Sequence, residues 1–214
     1  MSGTLLRPPI PDGILATRVI AIGRRLDPAD LEAVAAALVQ GGIRAFELTL
    51  DGAAALEGIT LLAQRFAARD LLIGAGTVLD VGAAQRAADA GAAFLVMPHT
   101  DVELVRWAAD HGLPAFPGAF SPTEALAGWR AGAAAIKVFP ASVVGPHYVR
   151  EMRGPFRDIP LVPTGGVTVE NAPAFLDAGA VAVGIGSWLT GGANPTVARQ
   201  RAAEVIAALG GRGR

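Results

Sequence analysis

Short apolar runs alternate with alanine-rich segments of helical period along the whole chain. Many of the helical segments begin at Asp, Ser or Pro and end at Gly, which are common helix start and stop signals. The predicted strands cover residues 18–22, 43–50, 71–75, 93–97, 114–116, the run around Lys137, 161–163 and 181–185. Eight strands, each followed by a helix, predict a parallel sheet.

The predicted helices occupy the segments between these strands, and one short helix precedes the first strand. They cover 11–17, 27–40, 53–68, 80–91, 101–112, a segment starting at 121, a segment from about 146, a segment closed by Gly179, and 195–209. The clearest start signal is Ser121-Pro122-Thr123-Glu124, which combines an N-cap, a proline at the first helical position and a capping-box glutamate.

The eight near-equal units favour closure into a compact (β/α)8 TIM barrel with a short N-terminal helix. No shift in composition marks a domain boundary, so we expect one domain over residues 1–214. The alternative is an open doubly wound sheet that binds a dinucleotide. Its fingerprint needs a third glycine, but Gly74-Ala75-Gly76 is followed three positions on by Leu79.

Composition narrows the classes of partner. A net charge of −1 gives no electrostatic case for nucleic acid or an anionic membrane, and the absence of cysteine excludes disulfides and thiolate metal sites. The three histidines lack metal-ligand spacing, so no metal site is predicted. The proline-rich start has no apolar segment typical of a signal peptide, and the apolar runs are too short to span a bilayer. We therefore expect a soluble cytoplasmic protein.

Lys137 is the only lysine in the chain, beside seventeen arginines, and it lies inside an apolar run that is typical of a buried strand. Burial is most costly for a charged group, but a desolvated lysine can lose its proton and attack a carbonyl carbon. The simpler interpretation is a lysine whose ammonium reaches solvent at a strand end.

Glu47 is predicted to share the barrel interior with Lys137. Strand alternation places the bulky Phe46 and Leu48 on the helix side, which turns Glu47 inward, and the same argument for Ile136 and Val138 turns Lys137 inward. The pair fits either a structural buried ion pair or a Schiff-base lysine with a neighbouring proton shuttle.

Other candidate residues follow the predicted strands, where the chemistry of a barrel gathers. They are Arg24, Thr77, Pro98 and two glycine-containing runs, Thr164-Gly165-Gly166 and Gly184 to Ser187. These two runs end strands seven and eight, where backbone N–H groups commonly bind phosphate. The three tryptophans, at 107, 129 and 188, are interpreted as helix packing.

Several runs of this sequence resemble the signatures of the 2-keto-3-deoxy-6-phosphogluconate (KDPG)/4-hydroxy-2-oxoglutarate (KHG) aldolase family. They are FELTL at 46–50, GAGTVL at 74–79, IKVFP at 136–140, VGP at 144–146, PTGGV at 163–167 and GIGS at 184–187. They occur in the family's order, and the similarity extends from about Val19 to the last helix.

The resemblance implies a class I aldolase on a compact barrel, commonly a trimer, that needs no metal or cofactor. Lys137 would be its Schiff-base lysine and Glu47 its proton-transferring glutamate. The pyruvate pocket would include Thr77 and Phe139. The family's phosphate-end groups fall on Gly165, Gly166, Gly186 and Ser187. The substrate would be a phosphorylated 2-keto-3-deoxy sugar acid, and KDPG cleavage would give pyruvate and glyceraldehyde 3-phosphate; cleavage of 4-hydroxy-2-oxoglutarate to pyruvate and glyoxylate is a second expected activity.

One departure from the family pattern concerns the pyruvate carboxylate. Many members carry an arginine four residues after the glutamate, and this chain has Asp51 there, which has the opposite charge. We expect Asp51 to turn to the rim and Arg24, which other members share, to bind the carboxylate.

The sequence leaves three alternatives open. Thr164 favours the gluconate-type substrate, because galactonate-specific relatives carry an apolar residue there. An aldolase for the galactonate epimer or for another 2-keto-4-hydroxy acid is one alternative, and a non-catalytic phosphate-binding barrel is another. The third alternative concerns the carboxylate site: Arg24 or Arg25 would only decorate the loop after the first strand.

Overall fold

The computed structural model describes residues 7–52, 54–66 and 71–210. Its strands are β1 (Val19–Gly23), β2 (Ala45–Thr49), β3 (Leu72–Gly76), β4 (Leu95–Val96), β5 (Ala115–Phe116), β6 (Gly118–Ala119), β7 (Ile136–Val138), β8 (Leu161–Pro163) and β9 (Val183–Ile185). Its α-helices are α1 (Asp12–Thr17), α2 (Leu31–Gln40), α3 (Ala55–Phe66), α4 (Val81–Asp89), α5 (Val102–Asp110), α6 (Pro122–Ala131), α7 (Ala141–Arg153), α8 (Ala172–Asp177), α9 (Ser187–Thr190) and α10 (Pro195–Leu209).

The strands pair in parallel around a ring, which confirms the predicted (β/α)8 barrel. Six strands follow the order β5-β4-β3-β2-β1-β9, and three follow the order β6-β7-β8. Strands β5 and β6 are the two halves of one strand, separated at Pro117 because proline has no N–H to donate to the ladder. A bridge between Thr164 and Gly184 joins the β8 segment to β9 and closes the ring.

The barrel interior is filled at its amino-terminal end and lined by polar side chains at its carboxyl end. Phe94 and Phe116 pack edge to face with ring centroids 5.9 Å apart. They form one apolar cluster with Val162 of β8 and with Ile14 of α1, so the short leading helix closes this end of the barrel. A Cβ on Gly74 would lie 2.4 Å from the Phe94 ring, which shows how tightly this layer is packed.

The outer face of the strands packs against the helices as the alternation predicts. Phe46, Leu48, Ile136 and Val138 belong to the large cluster between strands and helices. The residues between them along β2 and β7 therefore point into the barrel.

Three helix predictions differ from the structure. Helix α2 begins at Leu31 rather than near Asp27, because the Asp27 carboxylate accepts the Ala29 N–H (2.9 Å) in a preceding turn. Helix α7 begins at Ala141 and has a break at Gly145 (φ 70°) before Pro146, where we expected the helix to start. The four-residue helix α9 was not predicted.

The remaining boundaries agree to within a few residues. The helix predicted over 53–68 includes residues 53, 67 and 68, and these three lie outside the described residues. No helix in the described ranges is long and apolar enough to cross a membrane.

Candidate active site

A cavity of about 520 Å³ opens at the carboxyl ends of the strands. It brings together nine of the residues singled out in the sequence, namely Arg24, Glu47, Lys137, Phe139, Thr164, Gly165, Gly166, Gly186 and Ser187. Strand alternation and the positions of the strand ends thus identified functional groups that five strands bring together in one pocket.

Lys137 projects into this cavity from the middle of β7. Its backbone N–H donates to Pro117 O (2.9 Å), its side chain is only 6 % exposed, and Nζ lies 4.7 Å from the centroid of the Phe139 ring. Burial lowers the pKa of Lys137, the Glu47 carboxylate acts in the opposite direction, and Arg24 lowers the pKa further. The free amine, which is the nucleophilic form, is therefore more accessible than in an exposed lysine.

Glu47 projects into the same cavity from the middle of β2. Its side chain is 2 % exposed, and its Oε2 atom is buried without a hydrogen-bond partner. Burial raises the pKa of Glu47 to about 7, against the opposing charges of Lys137 and Arg24. A Cβ on Gly76 would lie 2.7 Å from Glu47 Oε1, so the glycine of the neighbouring strand makes room for the carboxylate.

Lys137 and Glu47 share the cavity without forming a close ion pair. The salt bridges found among the described residues involve other pairs, with N–O distances up to 3.9 Å. A carboxyl group that titrates near neutral pH can both accept and donate a proton, and the amine beside it can attack a carbonyl carbon. The unpartnered Oε2 atom is free to bond a molecule that enters the cavity.

The loop after β8 forms another wall of the cavity and is held by a side-chain amide. Gly165 and Gly166 have φ values of 93° and 74°, and a Cβ on Gly166 would lie 2.5 Å from the Ser142 Cβ. Asn171 donates from Nδ2 to Gly166 O (2.9 Å) and accepts the Thr168 N–H (2.9 Å). These bonds fix the loop, which lines the cavity beside the Gly186–Ser187 segment of the neighbouring strand.

Thr164 lies between the buried pair and this loop. Its side chain is 5 % exposed, and its hydroxyl donates a long hydrogen bond (3.3 Å) to Val162 O. A Cβ on Gly184 would lie 2.4 Å from Thr164 Oγ1, so the neighbouring strand leaves space for this hydroxyl. The hydroxyl can therefore exchange its weak internal bond for one to a ligand.

Asp51 lies at the rim, as expected, and is paired there with two arginines. Its Oδ2 atom accepts hydrogen bonds from Arg24 Nη1 (2.9 Å) and Arg25 Nε (3.0 Å). Burial acts to raise the pKa of Asp51, but a hydrogen bond with Thr49 and the charges of Arg24 and Arg25 hold it below its usual value. The negative charge of Asp51 is thus neutralised by the two adjacent arginines.

Two predicted residues lie outside the main cavity. Thr77 lines a neighbouring cavity of about 380 Å³, together with Asp51, and its hydroxyl accepts a long hydrogen bond (3.4 Å) from Arg24 Nη2. Pro98 does not line the main cavity; its carbonyl group faces Gly118, where an added Cβ would lie 2.5 Å from it.

Four cavity residues were missed by the sequence interpretation, namely Ile22, Val167, Thr168 and Trp188. Alternation with Ile20 on β1 could have placed Ile22 inside the barrel. Trp188 was interpreted as helix packing, and it does pack against the outer core, but it also lines the cavity. Its carbonyl accepts a hydrogen bond from Arg201 of α10.

The described residues hold no group of three or more His, Cys, Asp or Glu side chains that could bind a metal ion. Among the residues that line the cavity, the positive charges come from Lys137 and Arg24. The arrangement therefore offers an amine, a carboxyl group, a guanidinium and backbone N–H donors to a ligand.

Comparison with known proteins supports an aldolase. The family model described as KDPG and KHG aldolase matches residues 11–206. The chain is 40 % identical over 172 residues to a 2-dehydro-3-deoxy-phosphogluconate aldolase of Pseudomonas aeruginosa, covering 80 % of this chain and 76 % of that protein. It is 38 % identical over 192 residues to a Rhizobium meliloti protein named "Probable 2-dehydro-3-deoxy-6-phosphogalactonate aldolase", covering 89 % and 90 %.

A solved structure is similar over almost the whole chain. It is the KDPG aldolase of Legionella pneumophila with pyruvate captured at low pH as a covalent carbinolamine intermediate, with a TM-score of 0.79 and 28 % identity, covering 96 % of this chain and 99 % of that one. The barrel, the match along residues 11–206 and the level of identity lead to one conclusion: this chain belongs to the KDPG and KHG aldolase family and is an aldolase, a carbon–carbon lyase.

Proposed function

We propose that this protein is a class I aldolase that cleaves 2-keto-3-deoxy-6-phosphogluconate to pyruvate and glyceraldehyde 3-phosphate through a Schiff base on Lys137. The observation that carries the proposal is a buried amine and a buried, unpartnered carboxyl group facing one cavity at the carboxyl ends of the strands. A barrel that only bound phosphate would need neither group inside it, and both cost free energy to bury.

In the first half of the reaction, the neutral amine of Lys137 attacks the C2 carbonyl carbon and forms a carbinolamine. Glu47 supplies the proton with which the C2 hydroxyl leaves as water, which gives an iminium. The carbinolamine of pyruvate in the Legionella relative is the same kind of intermediate. Because burial lowers the pKa of Lys137, less free energy is needed to generate the attacking amine.

In the second half, the Glu47 carboxylate takes the proton of the C4 hydroxyl, and the C3–C4 bond breaks. The electron pair of that bond moves into the iminium and forms an enamine, while C4 leaves as the aldehyde carbon. Glu47 then returns a proton to C3, and water releases pyruvate and regenerates Lys137. A pKa of about 7 suits a group that must accept and donate in turn near neutral pH.

Different groups of the cavity wall would bind the two charged ends of the substrate. Arg24, which lines the cavity, would bind the 2-keto acid carboxylate, because the Lys137 amine itself becomes the iminium at the adjacent carbon. The phosphate would bind the backbone N–H groups of the Gly165–Gly166 and Gly186–Ser187 loops. Phe139 would pack on the pyruvate end beside Lys137, and Thr77 would support Arg24 from the neighbouring cavity.

The gluconate-type epimer is the proposed substrate because Thr164 presents a hydroxyl to the cavity that the buried pair also lines. The galactonate-type epimer is the second candidate, favoured by the identity to the Rhizobium relative. Cleavage of 4-hydroxy-2-oxoglutarate would follow the same steps without using the phosphate loops.

The family resemblance extends the proposal to a trimer. Large apolar side chains are exposed beyond the carboxyl ends of the strands, with Leu79 (53 %) and Phe120 (48 %) in loops and Val143 (68 %) in the first turn of α7, and such a surface is suited to burial against other copies. Light scattering coupled to size exclusion should give three times the chain mass, and the mass of a single chain would contradict this part of the proposal.

Treatment with pyruvate and borohydride should add one adduct, on Lys137. Because the chain has no other lysine, the N-terminal amine is the sole competing amine, and peptide mass spectrometry distinguishes the two. Lys137→Arg, which keeps the charge but cannot form a stable Schiff base, is the matched control. A folded wild-type protein without an adduct on Lys137 would overturn the mechanism.

Glu47→Gln should still be trapped by pyruvate but should turn over about 10²–10⁴-fold more slowly, which is the usual contribution of a general acid–base group. The wild-type kcat should show an ionisation near neutral pH, from the raised pKa of Glu47, and the variant should lack it. Near-normal kcat in the variant would leave Glu47 as a structural neighbour of Lys137.

Glu47 should also make stability depend on pH. Its pKa is higher in the folded than in the unfolded chain, so it favours folding fully below about pH 4.5, and that contribution is lost as the pH rises through about 7. The free energy of unfolding, measured with denaturant, should decline less over this range in Glu47→Gln than in wild type.

The choice of epimer should depend on Thr164. We expect a higher kcat/KM for the gluconate-type than for the galactonate-type substrate, and we expect Thr164→Val, which removes the hydroxyl at nearly constant volume, to reduce that preference. One lost hydrogen bond to a substrate hydroxyl corresponds to roughly tenfold. Equal kcat/KM for both epimers, or unchanged selectivity in the variant, would assign the choice to other residues.

A further inference from the structure

We infer that Asp51 is a positioning residue for Arg24: it holds the guanidinium at the cavity rim in the orientation that receives the carboxylate of the 2-keto acid. This inference rests on the proposed function, since it concerns the carboxylate end of the same substrate. It assigns a role to Asp51, whose negative charge alone would repel a carboxylate at this site.

The rim contacts show which partner is anchored. Asp51 is 21 % exposed, whereas the Arg24 and Arg25 side chains are 53 % and 72 % exposed. The carboxylate is therefore the more fixed member, and both arginines reach towards its Oδ2 atom. With one negative and two positive charges, the cluster still presents a net positive charge to an anionic ligand.

The backbone around Asp51 is tied to the neighbouring strand. Leu50 N–H donates to Gly76 O of β3 (2.8 Å), and Gly52 N–H closes a local turn around Asp51 by donating to Thr49 O (3.2 Å). Thr77, next to Gly76, has a φ of 56°, which is rare for a β-branched residue and requires support from its surroundings. Asp51 and Thr77 are thus held at a fixed separation by the paired ends of β2 and β3.

Arg24 bridges these two fixed groups. Nη1 donates to Asp51, and Nη2 lies 3.4 Å from Thr77 Oγ1, so each terminal nitrogen has one contact and one further N–H. Arg24 lines the main cavity, and Asp51 and Thr77 line the adjacent one, so the guanidinium forms part of the wall between the two cavities. The remaining N–H groups are then available to a carboxylate in the main cavity.

Stability alone does not explain this arrangement, because exposed ion pairs contribute little to folding. An arginine that is half exposed and unpaired would sample many rotamers and would lose that freedom when it bound a ligand. Holding it in advance removes part of this cost, which for one long side chain corresponds to about two- to tenfold in binding.

The test is a double-mutant cycle between Asp51 and Arg24, measured as KM for pyruvate in the condensation direction with glyceraldehyde 3-phosphate. Asp51→Asn should raise KM about two- to tenfold with little change in kcat. Arg24→Ala should raise it roughly tenfold to a hundredfold, as expected for loss of a charge-assisted bond, and the double variant should match Arg24→Ala.

Glu32→Gln is the matched control. It removes another exposed arginine–carboxylate pair, Arg65 Nε to Glu32 Oε1 (2.7 Å), on the helices away from the cavity, and KM should not change. Asp51→Ser is a second neutral variant, and thermal unfolding of each protein checks that it is folded.

Two results would overturn the inference. One is a normal KM in both neutral Asp51 variants. The other is an increase of the same factor when Asp51→Asn is made in the Arg24→Ala background, because Asp51 would then act independently of Arg24. The pyruvate concentration for half-maximal borohydride trapping on Lys137 gives the same comparison without turnover. Trapping on Lys137 with an unchanged KM would reject the positioning role alone, whereas loss of trapping in wild type would reject the proposed function.

Discussion

The site depends on the desolvation of two ionisable groups inside one barrel. Moving a charge out of water costs several kcal/mol per ion even after relaxation, so Lys137 and Glu47 are each pushed towards their neutral forms. Gly76 admits the Glu47 carboxyl group, and Gly184 admits the Thr164 hydroxyl, because side chains at those two positions would occupy the same space. The tightly packed layer of Phe94 and Phe116 fills the amino-terminal end of the barrel, so the cavity is confined to the carboxyl end. The packing of the barrel thereby adjusts the acidity of both groups.

Much of the fold could be predicted because its signals are local and repeated. Strand alternation alone placed Glu47 and Lys137 inside the barrel, and that placement does not depend on where each strand ends. The continuation of the fifth strand beyond Pro117 as β6 and the start of α7 at Ala141 were missed, because hydrogen bonds to other units of the barrel decide them. Ala141 N–H, for example, donates to Thr164 O (2.8 Å), a partner more than twenty positions away along the chain.

Side-chain partners at the rim were predicted less well, because they involve loops from different units. The sequence indicated that Asp51 could not replace an arginine, but not that it would accept hydrogen bonds from Arg24 and Arg25. Trp188 is a large apolar residue of the kind that usually packs in a core. It packs against the outer core and also lines the cavity. Pro98 follows a strand as the others do, yet its neighbours direct it towards Gly118 rather than into the cavity.

The closure of the amino-terminal end by α1 has a kinetic consequence. With Ile14 buried in that end, molecules exchange with the cavity through the mouth at the carboxyl ends. In the proposed mechanism, the aldehyde binds near the glycine loops, is not attached to Lys137 and would depart while the three-carbon fragment is still covalently held. Water for hydrolysis of that intermediate would then enter along the path that the aldehyde has vacated. Together with the proposed covalent intermediate, the single mouth would give an ordered release, in which a long-lived aldehyde complex would delay recovery of the free amine.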